Sequence, residues 1–514
     1  MNKETHTLVP EHSLQHKGIT LGVMLATIMQ ALDTTIANVA LPHMQGTLGA
    51  TQDQIAWVLT SYIVAAAITI PLVGWLSGVM GRKFIFLISI VGFTVSSILC
   101  GLAESLPQII LFRVLQGMSG AAFLPLSQAI LFDINSRKNF GKAMAIWGMG
   151  VMVGPILGPA LGGWLTENYN WRWVFYINVP VGILAFVLLY FLLPESPTEK
   201  KRFDFFGFAT LSLSVGALQV FLDRGTLKDW FGSTEIILEA LVCALAFYLF
   251  MIHTLTHKKP FINPELFKDR NFVVSNMLIF VVGIILFATL ALLPPMAQTL
   301  LNYPVYTTGL IIAPRGIGAM IAMVIVGRII SHVDSRIIMT VGLSLTAYSL
   351  HMMTKYSLLM DSWSIIDAGI VQGLGIGLTY VPLSTFGFAT LPAKLRNEGT
   401  ALFNLVRNIG SSVGISVVVS LLTRNVQIIH SSLSANLPVF NISSQIVYSA
   451  NHIDPTTPIG RAALNALVTQ HAAMIGYIDD FKFMMIITLA VLPLVMLMKA
   501  PKNPIHSDEI IVME

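Results

Sequence analysis

The sequence predicts an all-α integral membrane protein: fourteen spanning helices, arranged as two six-helix halves with two further helices inserted between them. Three observations predict it. Of 514 residues, 55% are hydrophobic and only 11% charged, where a soluble chain carries about 25% charged, so most of this surface must face lipid. Fourteen apolar runs have about the length needed to cross a hydrocarbon core. Runs one to six also share glycine and charge landmarks with runs nine to fourteen.

The first run, 19–40, follows a polar tail, 1–18, and carries Asp33 near its middle. Runs at 55–79, 84–102, 108–132, 144–165 and 174–193 complete a first half, 19–193. Gly74, Gly78, Gly81, Arg82 and Lys83 mark the break between the second and third runs. The fourth holds Arg113, Gln116 and Gly117, then Pro125-Leu126-Ser127; the fifth is rich in glycine and proline. Runs at 205–222 and 234–255 form the inserted pair, 205–255. The second half, 272–498, has runs at 272–294, 307–330, 337–354, 363–388, 400–422 and 481–498, and a tail, 499–514, follows. Gly327 through Ser335-Arg336 repeats Gly74 through Gly81-Arg82, and Gln372-Gly373 with Pro382-Leu383-Ser384 repeats the fourth-run pattern. Such repeats around a central cavity characterise many secondary transporters.

Of the 30 Lys and Arg, 20 fall on one side if the N-terminus is inside, seven on the other, and three within runs. That asymmetry predicts both termini in the cytoplasm. The segment 423–480 is then extracytoplasmic. Its apolar spacing at Leu464, Leu467, Val468, His471, Ile475 and Ile478 predicts an amphipathic helix, lying on the transporter or on a partner.

Other classes find little support. The net charge of +4 is spread over short loops, so no nucleic-acid partner is expected. Cys100 and Cys243 lie in apolar runs, which predicts no structural disulfide. No Gly-x-x-x-x-Gly-Lys-Ser/Thr loop occurs, so ATP is not the direct energy source. Neither a metal-ligand cluster nor a nucleophile–base spacing points to an enzyme, and no cofactor is expected.

Charged residues at bilayer depth are costly and usually functional. Asp33 lies some 14 residues into a run rising outward, ~21 Å from the inner end at ~1.5 Å per residue. Arg113 lies about five residues into a descending run, ~8 Å from the outer end. In a ~30 Å core these depths nearly coincide, so the two can face each other across the cavity. A permanent ion pair, or an Arg113 that snorkels outward, fits the same spacing. Proton coupling is the expectation, because a pair buried for stability alone is rarely profitable. Arg315, beside the carbonyl freed by Pro314, either positions a helix or contacts substrate. Arg407 is expected to serve structure or gating. Asp223 is a possible second proton site, or a local partner of Arg224 at the outer interface; Asp367, near the outer end of run twelve, is another possible proton site. The 24 Met and 29 Phe suit an adaptable apolar cavity.

The segment from Gly74 to Lys83 resembles the loop signature of the major facilitator superfamily, and Arg113 with Gln116-Gly117 resembles its fourth-helix motif. Gly150, Gly154, Pro155, Gly158, Pro159, Gly162 and Gly163 resemble its antiporter motif. Together with 32–42, the run from Trp171 to Pro180, and Asn404 to Gly410, they resemble the fourteen-span drug:proton antiporters. Leu222-Asp223-Arg224-Gly225, Asp229-Trp230-Phe231 and the long last loop are similar to the EmrB subgroup. One departure is Gly78, where the family commonly has an acid, so a relay from Arg82 or Lys83 to that acid is absent.

The resemblance implies a major facilitator fold in a bacterial inner membrane. It implies proton-driven export of hydrophobic or amphipathic toxic compounds, the gradient being the energy source. It also implies delivery to a periplasmic adaptor and an outer-membrane channel. The fifth-span glycines and prolines would then bend or pack that helix to control leakage. A dedicated exporter of one metabolite or siderophore is the nearest rival; an importer, a passive channel or a membrane enzyme is further off.

Overall fold

The computed structural model describes residues 10, 13–136, 139–196, 198, 202–330, 332–392, 395–435 and 457–498. Fourteen long helices run through them: α1 Leu14–Leu48, α2 Trp57–Met80, α3 Arg82–Leu102, α4 Leu106–Ile134, α5 Phe140–Asn168, α6 Trp173–Leu192 and α7 Phe205–Arg224. They continue as α8 Thr234–Thr256, α9 Arg270–Leu300, α10 Tyr306–Ile329, α11 Ser335–Met353, α12 Ser362–Phe388, α13 Arg396–Ala435 and α14 Pro458–Leu497. Thirteen of these are long and apolar enough to cross a membrane. The other, α11, spans 19 residues and is packed against α12 and α14. No strand occurs among the described residues.

Polar side chains start the helices where free N–H groups need acceptors. Ser13 caps α1, Asp204 caps α7, Asp269 caps α9, Asp334 caps α11, Asp361 caps α12 and Thr457 caps α14. Asp204 does more: its carboxylate also lies 2.9 Å from His253 Nε2 on α8 and accepts from the Phe261 N–H. Between α2 and α3 the chain turns at Gly81, whose φ of 87° is strained for residues bearing a Cβ.

The two halves pair their helices alike. In the first, α1 packs on α5, α2 on α4, and α3 on α4 and α6; in the second, α9 packs on α13, α10 on α12, and α11 on α12 and α14. Across the junction α5 lies on α10 and α12, while α2 and α4 lie on α13. The inserted helices pair with each other, and α7 also lies against α2 and α13, one helix from each half.

In the segment 423–480 the helix read from the apolar spacing is present and lies on the transporter, one of the two placements expected, but both spans extend into it. Helix α13 runs on to Ala435, 40 residues in all, ~60 Å against a hydrocarbon core of ~30 Å. The amphipathic stretch is not a separate surface helix: Pro458–Val491 is continuous and carries straight into the last span. Its apolar face lies on the extension of α13, with Gly476 against Leu422 and Val426. His430 and Asn465 side chains meet at 3.0 Å, and Gln470 Nε2 donates to the Leu300 carbonyl at 3.0 Å. A long helical pair is cheaper than a free surface helix because each covers the other's apolar stripe. Residues 436–456, the tail 499–514, most of 1–12 and the side chain of Pro155 lie outside the described residues.

Candidate functional site

Asp33 and Arg113 are both fully buried, and they touch. Arg113 Nη1 donates to Asp33 Oδ2 at 2.6 Å. The side chains meet directly, contrary to the expectation of a pair facing across a cavity: both helices belong to the first half, and the long Arg113 side chain reaches Asp33. Full burial also excludes the snorkelling arginine. The other carboxylate oxygen, Oδ1, accepts from Gln116 Nε2 at 2.9 Å and Asn178 Nδ2 at 3.1 Å. Both amides also donate to Ser97 Oγ, at 2.7 and 3.2 Å.

Arg113 is held as closely as its partner. Its Nε donates to the Val58 carbonyl at 3.0 Å and its Nη1 to Gln116 Oε1 at 2.7 Å. The guanidinium lies over the Tyr62 ring, 4.3 Å from its centre, an attractive geometry for a desolvated cation. Nη2 is buried without a hydrogen-bond partner. Three helices, α1, α4 and α6, thus meet at the carboxylate, and α2 and α3 join the network through Arg113 and Ser97. Gln116 was expected as a motif residue; Asn178, Ser97 and Tyr62 were not singled out. Asn178 was legible as a polar residue inside an apolar run, but nothing in its spacing ties it to Asp33.

The glycines of α5 bring that helix onto α1. A Cβ at Gly154 would fall on the Ala31 carbonyl, one at Gly158 on the Thr35 hydroxyl, and one at Gly162 2.9 Å from Ile36 Cγ1. Thr35 Oγ1 donates to the Gly154 carbonyl at 3.0 Å. The helix is unbroken from Phe140 to Asn168, through Pro155 and Pro159.

Arg82 closes the end of the bundle where α2 meets α13. Its guanidinium pairs with Asp133 at the end of α4, and its Nε donates to Asn397 Oδ1 at 2.8 Å. Asp133 therefore supplies the acid that Gly78 does not. Beside it, Gly74 packs on Ala401, Asn404 Nδ2 donates to Gln128 Oε1 at 2.8 Å, and Phe132 meets Phe388 edge-on. Trp147 stacks on Tyr380, centres 5.9 Å apart. Gly117 seats α4 on α2, where a Cβ would meet the Tyr62 carbonyl.

The remaining expected residues lie apart from Asp33. Asp223 accepts a hydrogen bond from Thr60 of α2, while its neighbour Arg224 pairs with Glu235 of α8. With Gln219 accepting from Ser412 at 2.8 Å and the Leu222 carbonyl accepting from Ser416 at 2.7 Å, α7 ties α2 to α13. Asp367 is exposed in the first turns of α12. Arg407 is buried and donates from Nη1 to the Tyr380 hydroxyl at 3.3 Å, behind the Trp147 stack. Arg315 is buried and donates to the Leu286 carbonyl at 3.1 Å, not to the carbonyl freed by Pro314. Asp480, read from sequence as the edge of a loop, is fully buried on α14 with both carboxylate oxygens unpartnered. Among the described residues no His, Cys, Asp and Glu group is placed to hold a metal.

Residues 23–415 match the Major Facilitator Superfamily. The chain belongs to that superfamily. It is a multi-pass membrane transporter, and its chemistry is translocation, not bond making. It is 36% identical to the "Multidrug export protein EmrB" of Escherichia coli (strain K12), over 84% of this chain and 85% of that one. It is 34% identical to the "Fatty acid resistance protein FarB" of Neisseria gonorrhoeae, over 94% and 96%. Its fold is that of the solved proton:xylose symporter XylE, with a TM-score of 0.59 at 13% identity over 94% of this chain and 99% of that one.

Proposed function

We propose that this superfamily member is a proton-driven multidrug exporter, expelling hydrophobic or amphipathic toxic compounds by alternating access. The observation that carries the reading is the carboxylate of Asp33, buried beside Arg113 at 2.6 Å and bound by residues of neighbouring helices. A proton arriving at Asp33 removes the negative charge and leaves Arg113 with the Val58 carbonyl and Gln116 alone. Breaking a buried pair costs about 3–5 kcal/mol, a bias of a hundredfold or more on a two-state equilibrium. Because the hydrogen-bond network around the pair draws in five helices, that bias acts on the whole first half, which rocks against the second. The family match and the similarity to EmrB support export of several compounds.

In this reading the end sealed by Arg82 faces the cytoplasm of a bacterial inner membrane, as do both termini. The projecting α13–α14 pair then reaches outward, where a periplasmic adaptor and an outer-membrane channel would take the cargo. The proton gradient is the energy source and no cofactor is required.

The test is proton movement driven by lipophilic toxins in proteoliposomes with an imposed pH gradient, for the parent and Asp33→Asn. Toxins are expected to collapse the gradient only with Asp33 intact. Toxin crossing without proton movement in either protein would instead establish a uniporter or channel.

A further inference from the structure

Asp480 is the buried acid that the coupling site leaves unused. On α14, Val468, Ala472, Gly476, Asp480, Met484 and Thr488 follow one another at every fourth position and are all buried, a spacing that keeps them on one face of the helix. One turn before Asp480, a Cβ on Gly476 would stand 3.1 Å from Leu422 and from Val426 of α13. The stripe is therefore pressed against α13, and an acid stands in the middle of it.

Asp480 has no exposed surface, and neither carboxylate oxygen has a hydrogen-bond partner among the described residues. The elements packed on α14 bring no counter-charge. On α13 no titratable residue occurs from Ile409 to Thr423, and Arg424 is exposed. On α9 none occurs from Asn271 to Leu300. At the end of α11, His351 and Lys355 are exposed, and Tyr356 meets the Phe481 ring edge-on. On α14 itself Tyr477 is buried, Asp479 is half-buried, and His471 and Lys482 are exposed.

A carboxylate charge without a cation or a donor is costly to bury, and such a group takes up a proton instead. An apolar side chain would fill the stripe at lower cost, whereas ionisable residues inside a membrane bundle mark the paths of protons and ions. From Asp480 to Leu497 the helix runs 17 residues, ~26 Å at ~1.5 Å per residue. With the termini inside, the carboxyl then lies near the outer edge of a ~30 Å core, the side from which protons arrive.

We propose that Asp480 is a second proton-binding site, filled from the outer side, whose proton lets α14 close on α13. Only the placing of the outer face rests on the export reading. In the closed pair the carboxyl is neutral and tolerated among apolar neighbours. When its O–H bond breaks, the electron pair stays on the carboxylate and the proton passes to water; the charge then favours the parted helices, where water reaches it.

The test has two readouts, both taken without toxin or gradient on the full-length protein in dodecyl maltoside, a detergent with no carbonyl of its own. The first is the infrared C=O stretch of a protonated carboxylic acid at neutral pH. The parent should show a band that Asp480→Asn lacks. The second is the rate at which a water-soluble thiol reagent modifies Leu422→Cys in Cys100→Ser, Cys243→Ser protein, with and without Asp480→Asn. Raising the pH ionises Asp480 but not asparagine, so the rate with Asp480 relative to that with asparagine should rise several-fold from mildly acid to mildly alkaline solution. Asp480→Leu, apolar like the rest of the stripe, replaces Asp480→Asn in both if the latter does not fold. Identical infrared spectra, or a rate ratio that stays flat with pH, overturn the proposal. Toxin-driven proton flux in proteoliposomes separates it from the export reading: flux without the Asp480 band sinks this site alone, and the band without flux sinks export alone.

Discussion

Asp33 is gripped from three sides, and the donors differ enough in kind to be separated by substitution. Asn178→Ala removes one of the two amides on Oδ1 and its bond to Ser97. A hydrogen bond to a charged group contributes about 1.5–3 kcal/mol, so toxin-driven proton flux should fall about tenfold or more. Cys100, whose Sγ lies 3.6 Å from Gln116 Oε1, is a weak donor, and Cys100→Ser should leave that flux nearly intact. Equal loss in both variants would mean that packing, not the hydrogen bonds of the carboxylate, sets the rate. Arg113→Lys should fail as well: one ammonium cannot reach Val58, Gln116 and Asp33 in the planar fork that a guanidinium provides.

At the scale of the element, the α1–α5 contact depends on the absence of side chains. Gly158→Val would press a branched side chain onto Thr35. Overpacking of this kind costs about 1–3 kcal/mol, to be read as an earlier unfolding midpoint in denaturant with the protein in detergent. Gly78→Ala is the contrasting case. Nothing lies within 4 Å of a Cβ there, and alanine in a helix interior is favoured over glycine by about 1 kcal/mol. Its midpoint should therefore move the other way. Should both variants destabilise alike, close approach at Gly158 is not what holds α5 on α1.

Across the whole molecule, the two halves are joined at one end by the bond from Arg82, which Asp133 of its own half holds in place, to Asn397 of the other half, backed by Gln128–Asn404 and the aromatic contacts. Arg82→Gln removes the guanidinium that bonds Asn397 across the halves and leaves the aromatic pairs, so the sealed end should open more often. The measurement is the rate at which a water-soluble thiol reagent modifies Gln128→Cys in Cys100→Ser, Cys243→Ser protein. The rate should rise several-fold when Arg82→Gln is added. An unchanged rate would assign the seal to Phe132–Phe388 and Trp147–Tyr380 alone. The inserted α7, bonded to Thr60 on one side and to Ser412 and Ser416 on the other, must slide or release one of these when the halves move.

Much of this architecture was legible in the chain. Span length, apolar content and the repeat of Gly74 in Gly327 and Gln116 in Gln372 determine fourteen helices in two similar sets, because a backbone in lipid must satisfy its own hydrogen bonds. The depth of Asp33 and Arg113 followed from helical rise alone. Partners were another matter. Asn178 lies 145 positions from Asp33 and Asn397 lies 315 from Arg82, and no local pattern encodes contacts made by separate helices. The 423–480 segment was legible in part for the same reason: its apolar face was visible in the spacing, but only the neighbouring α13 determined what covers it. That Asp33 has a counter-ion and Arg315 has none among the described residues was likewise decided by tertiary packing, since charge pairing belongs to the space between helices and not to the run of residues along one.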